Sequence, residues 1–166
     1  MEVIGIDPGT NESALVWYDW PSRTVTGKCI DENAQVLAIL ADARQGMVSH
    51  VAIEMVQNYG KAVGSEVFDT CVWIGRFIEA WSGPFTLITR PKVNMHICLN
   101  RNAKDPWIRQ ALIDKFGPGK RQAIGLKKSP GPLYGFKTHL WAALAVCVTW
   151  AEVYCLAPTE EQQHGG

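Results

Sequence analysis

The stretch Val3-Ile4-Gly5-Ile6-Asp7-Pro8-Gly9-Thr10, continued by the run from Asn11 to Asp19, decides how the rest of this chain is read. Val3, Ile4 and Ile6 favour a strand, Pro8-Gly9 is turn chemistry, and Ser13-Ala14-Leu15-Val16-Trp17-Tyr18 resumes an apolar strand, so the two runs pair as a hairpin. The hairpin leaves one carboxylate, Asp7, at the end of an apolar strand. A charge there is costly unless a partner or a bound cation offsets it, which makes Asp7 a candidate functional residue. The competing reading is local: an Asp before Pro-Gly bonds the backbone of its own turn. At the level of this stretch both stay open.

Working outward, Thr24 to Ile30 alternates well enough for a third strand, and Asp31 can cap a helix from Glu32 to Arg44 with Val36, Leu37, Ile39 and Leu40 as its apolar stripe. His50 to Val56 is a short apolar strand carrying Glu54 near its end, a second acid in apolar surroundings. The loop from Gln57 to Gly64 holds Tyr59 and Lys61. A helix from Ser65 to Trp81 is apolar on more than one face, which predicts a subunit contact as well as a core. Phe85 to Ile88 reads as a strand closed by Arg90-Pro91, and Lys92 to Leu99 as a short helix. Asp105 as N-cap and Pro106 at the first position open a helix through Phe116. The Gly, Pro and Lys-rich segment over 117–133 reads as a basic loop region, and the last helix, Lys137 to Cys155, is apolar nearly all round except for His139 near its start. This order predicts an α/β domain over 1–156, with helices on the faces of a mixed sheet, and a disordered polar tail over 157–166. In such a sheet Asp7 and Glu54 lie at the ends of strands that can be neighbours, and the last helix can bring His139 to them.

A chain of 166 residues can bury a core without staples, and its five cysteines are odd in number, scattered and free of CxxC spacing, which argues against zinc or disulfides. Met1 leads directly into a strand and no apolar run reaches membrane-spanning length, so the expectation is a soluble protein of the cytoplasm with no membrane partner. The net charge of zero hides a segregation. Residues 1–89 carry five basic and eleven acidic side chains, whereas residues 90–137 carry eleven basic side chains against Asp105 and Asp114. A basic third beside an acidic remainder is what a polyanion-binding face next to a cation-binding site would produce.

Two carboxylates and an imidazole at adjoining strand ends suit Mg²⁺ or Mn²⁺ bound jointly by protein and phosphate oxygens. The motifs Ile4-Gly5-Ile6-Asp7-Pro8-Gly9-Thr10, Val51-Ala52-Ile53-Glu54 and His139-Leu140-Trp141-Ala142-Ala143-Leu144-Ala145-Val146 together resemble the RuvC family of Holliday-junction resolvases, in a phage-type or divergent form. The resemblance runs in order and spacing from residue 1 to about 151. It implies an RNase H-like mixed five-stranded sheet flanked by helices, a homodimer, and cutting of four-way DNA junctions with two Mg²⁺ or Mn²⁺ ions and no small-molecule cofactor, in a bacterial or phage-infected host cell. By position, Asp7, Glu54 and His139 would be metal ligands or catalytic residues. The loop carrying Tyr59 would reach the junction centre, with Tyr59 able to stack on an unpaired base, and the helix from Ser65 to Trp81 would form the dimer contact.

One position departs from the pattern. The family usually carries an acid three residues beyond the His or Asp that opens the last motif, and here that position is Ala142, which cannot ligate. Three explanations stand: a substitution introduced to trap substrate, a natural junction-binding protein with poor cleavage, or another acid such as Asp69 in its place. For DNA contact the candidates are Lys61, Lys92, Arg101, Lys104, Lys127 and Lys128, together with Tyr59. The Gly-Ile-Asp-Pro-Gly-Thr stretch also resembles the first phosphate motif of actin-like and sugar-kinase ATPases. That class needs two lobes around a cleft, and this length leaves room for one. A non-enzymatic branched-DNA-binding module is the remaining alternative.

Overall fold

A computed structural model describes residues 1–43, 46–58, 60 and 62–155. The predicted tail over 157–166 lies outside the described residues. Strands β1 (Glu2–Asp7), β2 (Glu12–Asp19) and β3 (Thr24–Glu32) run antiparallel, and β4 (Val48–Met55) and β5 (Phe85–Thr89) add parallel strands on the other side of β1. The order β3-β2-β1-β4-β5 makes a mixed five-stranded sheet with the opening strand at its centre.

Alternation along β1 assigns its residues to two cores. Ile4 and Ile6 face α1 (Asn33–Ala43) and α2 (Ser65–Trp81), where they pack with Leu15, Val36, Leu40, Ile53, Phe77 and Trp81. Val3 faces the opposite layer with Val16, Ala52 and Ile88. That layer is built from α3 (Arg90–Cys98), α4 (Asp105–Phe116), a short α5 (Lys120–Ala123) and α6 (Leu140–Trp150), whose apolar run ends in a π-helical turn at Ala151–Cys155. The basic segment over 117–133 is therefore more structured than a loop. Besides α5 it holds a hairpin of β6 (Gly125–Leu126) and β7 (Ser129–Pro130), with Lys127 and Lys128 exposed between its strands.

Gly5 is where the sheet and α6 meet. A Cβ at this position would stand 2.3 Å from the Ala143 carbonyl oxygen and 2.4 Å from Cys147 Sγ, so only glycine lets the helix lie this close to the central strand. The turn after β1 is clamped from the side by Asn33, the first residue of α1. Its amide donates to the Gly9 carbonyl at 2.9 Å and its Oδ1 accepts from Ser13 Oγ at 2.6 Å, while Gly9 N–H donates to Ser13 Oγ at 3.2 Å.

Four local expectations differ in detail. Asp31 and Glu32 extend β3, where they pair with Ser13 and Glu12, so Asp31 does not cap the helix, which begins at Asn33. Arg90-Pro91 opens α3 instead of closing the strand, because proline is tolerated in the first helical turn where its missing N–H has no helical acceptor. Lys104 holds the N-cap position of α4, so Asp105 is the first helical residue and its carboxylate turns to Arg90 rather than to the helix backbone. The last helix begins at Leu140 rather than Lys137, after Thr138, which has a left-handed backbone with φ 38°. Among the described residues no helix is long and apolar enough to cross a membrane.

Candidate functional site

The register of the sheet brings the two acids together. Ile6 pairs with Ile53 across the parallel β1–β4 ladder, so the next residue on each strand is Asp7 and Glu54, on neighbouring strands about 4.8 Å apart. Strand alternation puts both on the α6 side, Asp7 in line with Val3 and Gly5, and Glu54 in line with Ala52. Each is only 9% exposed.

His139 arrives from the start of α6 and meets Asp7, its Nδ1 lying 2.8 Å from Asp7 Oδ2. Against an ionised Asp7, which only accepts, Nδ1 is the donor of this contact and Nε2 stays outside it. The residue before it, Thr138, is a β-branched side chain in left-handed backbone, a conformation costing about 1–3 kcal/mol that persists only where its surroundings hold it. Here it sets the direction from which the imidazole reaches the acid. Glu54 is met from the other side by Arg90, the first residue of α3. Arg90 Nε donates to Glu54 Oε1 at 2.5 Å, and its Nη1 donates to Asp105 Oδ1 at 2.9 Å.

These contacts only partly offset the cost of burying two charges. Burial raises the Asp7 pKa above the ordinary carboxylate range, against the hydrogen bond and charge of His139. Burial pushes Glu54 up to about 7, with Arg90 pulling it back and the nearby Asp7 charge adding to the rise. Two desolvated carboxylates with an imidazole beside them are a donor set that suits a hard divalent cation. The kind of donor fits. Among the described residues, however, no three His, Cys, Asp or Glu side chains stand together as a ready metal group, with Arg90 on Glu54 and His139 on Asp7.

A cavity of about 670 Å³ opens over Asp7, while Glu54 lies off its lining, in contact with Arg90. Asp7, Arg90, Asp105, His139 and Ala142 line it, with Phe136 and Trp141 as apolar wall and Arg109, Lys120 and Lys137 as further cations. Ala142 thus lies on the same cavity as Asp7 and His139, and the wall there carries a methyl group. Arg109 stacks over Trp141, its guanidinium carbon 5.0 Å from the ring centre. Asp69 lines a separate cavity with Thr10, Asn11 and Arg76.

The remaining sequence candidates do not line this cavity. Lys104 lines a smaller adjoining recess with Arg90 and Asp105, and Arg101 is exposed in the loop before it. Lys127 and Lys128 sit on the β6–β7 hairpin, while Lys92 pairs with the hydroxyl and ring of Tyr154. Tyr59 and Lys61 lie outside the described residues. Sequence reasoning did not single out Arg90, Asp105, Arg109, Lys120, Lys137 or Asn33 for the site. Arg90 resembled a strand terminator and Asp105 a helix cap, and only packing brings them to Glu54.

The sign of the Glu54 shift yields a test. A carboxyl whose folded pKa lies above its unfolded value destabilises the fold at high pH, and that loss disappears as pH falls from about 7 toward the ordinary 4.5. His50 works in the opposite direction: burial lowers its pKa to about 4, so stability is lost as pH falls below about 6.5. Comparing Glu54→Gln with the parent at each pH cancels the His50 contribution. The variant is expected to be more stable at pH 8 by about 1–2 kcal/mol, a few degrees in Tm, and the difference should largely vanish by pH 5. Thermal unfolding across that range checks it, and a parent equally stable or more stable at pH 8 contradicts it.

No protein-family model matches the chain, and no curated protein sequence matches it. Solved structures do. Thermus thermophilus RuvC superposes with a TM-score of 0.62 over 91% of this chain and 93% of that one, at 17% identity. T. thermophilus RuvC in complex with a Holliday junction substrate gives a TM-score of 0.62 over 91% of this chain and 92% of that one, also at 17% identity. At that identity the likeness establishes the architecture: the chain has the mixed five-stranded α/β fold of RuvC, of the RNase H-like type.

Proposed function

We propose that this chain is a RuvC-like, structure-selective endonuclease that binds four-way DNA junctions as a homodimer and cuts them with Mg²⁺ or Mn²⁺, with activity weakened by Ala142. The observation that carries the reading is the buried Asp7 and Glu54 pair, with Asp7 on the wall of a basic cavity and Glu54 covered by Arg90 beside it, in a fold shared with a RuvC solved on a Holliday junction. When bound, divalent ions would activate water and stabilise the leaving oxygen in phosphodiester hydrolysis. Asp7 and Glu54 would hold them. His139, fixed through Nδ1 by Asp7, would present Nε2 as a further donor. Arg109, Lys120 and Lys137 line the cavity where a phosphate backbone would lie, and Lys92, Arg101, Lys104, Lys127 and Lys128 would extend that contact outward. Tyr59 and Lys61 would meet the junction centre from the loop before α2.

The homodimer reading rests on α2. Its inner face buries Thr70, Ile74, Phe77 and Trp81, yet Phe68 and Val72 on the outer face are 61% and 62% exposed. Two large apolar side chains one turn apart on the outside of a helix suit a second copy of the same helix. Phe68→Glu is expected to yield a monomer by light scattering where the parent is a dimer; a monomeric parent contradicts the assignment.

A second reading is favoured by one specific feature. With alanine on the cavity wall at 142, the chain can bind branched DNA without cutting it efficiently. A synthetic four-way junction separates the two. Ala142→Asp should raise Mg²⁺- or Mn²⁺-dependent nicking about tenfold or more, since a missing ligand near a metal costs on that order. Junction binding by the parent should weaken steeply with salt. Tight binding with no gain in cleavage supports the non-cleaving module, and no junction affinity at low salt contradicts both.

A further inference from the structure

The contact between Arg90 and Glu54 is built from several directions. Glu54 pairs with Ile88 and Met55 with Thr89 across the β4–β5 ladder, so Arg90 emerges at the end of the strand beside Glu54. Its Nε takes Glu54 and its Nη1 takes Asp105, which places one guanidinium across two carboxylates. The Asp105 side chain is exposed, but the backbone that leads to it is held. The loop before it starts at Leu99, in left-handed backbone with φ 54°, and the buried Asn94 donates through Nδ2 to the carbonyls of Arg101 at 3.1 Å and Ala103 at 3.2 Å. An incidental surface pair holds two long side chains loosely and contributes little. This one has a nearly buried acid at one end and a clamped loop at the other.

Building on the cation reading proposed above, we infer that Arg90 is a tethered cation that seals the site: forked between Glu54 and Asp105, it occupies the side of Glu54 that a divalent ion needs, so the Arg90 contact and ion binding exclude each other. The guanidinium takes Glu54 Oε1, and its positive charge beside that carboxylate opposes a divalent ion at either oxygen. A divalent ion can take Glu54 only when Arg90 releases it. The released guanidinium stays on the wall of the cavity, where an anion could receive it.

The test measures binding of Mn²⁺ alone to the full chain at pH 8.5, counting free ion by electron paramagnetic resonance. Arg90→Gln should bind Mn²⁺ more tightly than the parent, within the roughly 5–150-fold range of ordinary coupling between exclusive states. Arg90→Lys keeps the charge and loses the fork, so it should tighten binding in the same direction by a smaller factor. It carries the test if circular dichroism shows Arg90→Gln to be unfolded. A parent that binds Mn²⁺ with both variants no tighter overturns the seal alone. If neither parent nor variants bind Mn²⁺, the cation reading of the site falls with it.

Discussion

The close approach of α6 to the central strand at Gly5 is the constraint on which the rest depends. A side chain there would collide with the backbone of the helix, so the helix could not lie flat on β1 and its start could not reach the strand end. Glycine in a strand interior weakens the strand by itself. Here the weakness is offset by the packing of the whole apolar run from Leu140 to Trp150, nearly all of it buried. The consequence is positional: the residue just ahead of that helix, His139, arrives at Asp7, which lies two residues past the glycine on the same face.

That geometry forces an electrostatic problem that the molecule meets with its own cations. Register and alternation leave Asp7 and Glu54 side by side and desolvated, and burial opposes the charge on both. His139 answers one acid and Arg90 the other. Neither contact restores Glu54 to its ordinary range, so the pair retains a demand for positive charge. The basic cavity wall extends the same field outward and would draw a polyanion toward the acids. Four of the eleven basic side chains of residues 90–137, Arg90, Arg109, Lys120 and Lys137, line that cavity.

Much of this was legible in the residues because the signals were local. β-Branched runs, the Pro8-Gly9 turn and the apolar periodicity of Ser65–Trp81 depend on neighbours in sequence, and the strands and α2 form where those signals lie. Asp7, Glu54 and His139 stood out as polar groups in apolar runs, and the sheet register places Asp7 beside Glu54 and α6 carries His139 to Asp7. What was not legible depends on packing between distant segments. Arg90 precedes a proline and resembles punctuation, although a proline one residue into a helix also marks a helix start, and that signal could have moved the boundary of α3. Asp105 has the sequence position of a cap, but a charged guanidinium competes with the helix N–H groups and wins its carboxylate. Asn33 looked like an ordinary helix residue, and its clamp on the Gly9 turn is visible only once β2 and α1 are folded together.

On this reading Asp7 and Glu54 together hold a cation. Anomalous scattering from a crystal of the chain equilibrated with Mn²⁺ tests it most directly. A peak is expected within coordinating reach of both carboxylates, with Arg90 drawn away from Glu54. Saturating Mn²⁺ with no peak at that position, and both acids still held by His139 and Arg90, would contradict it.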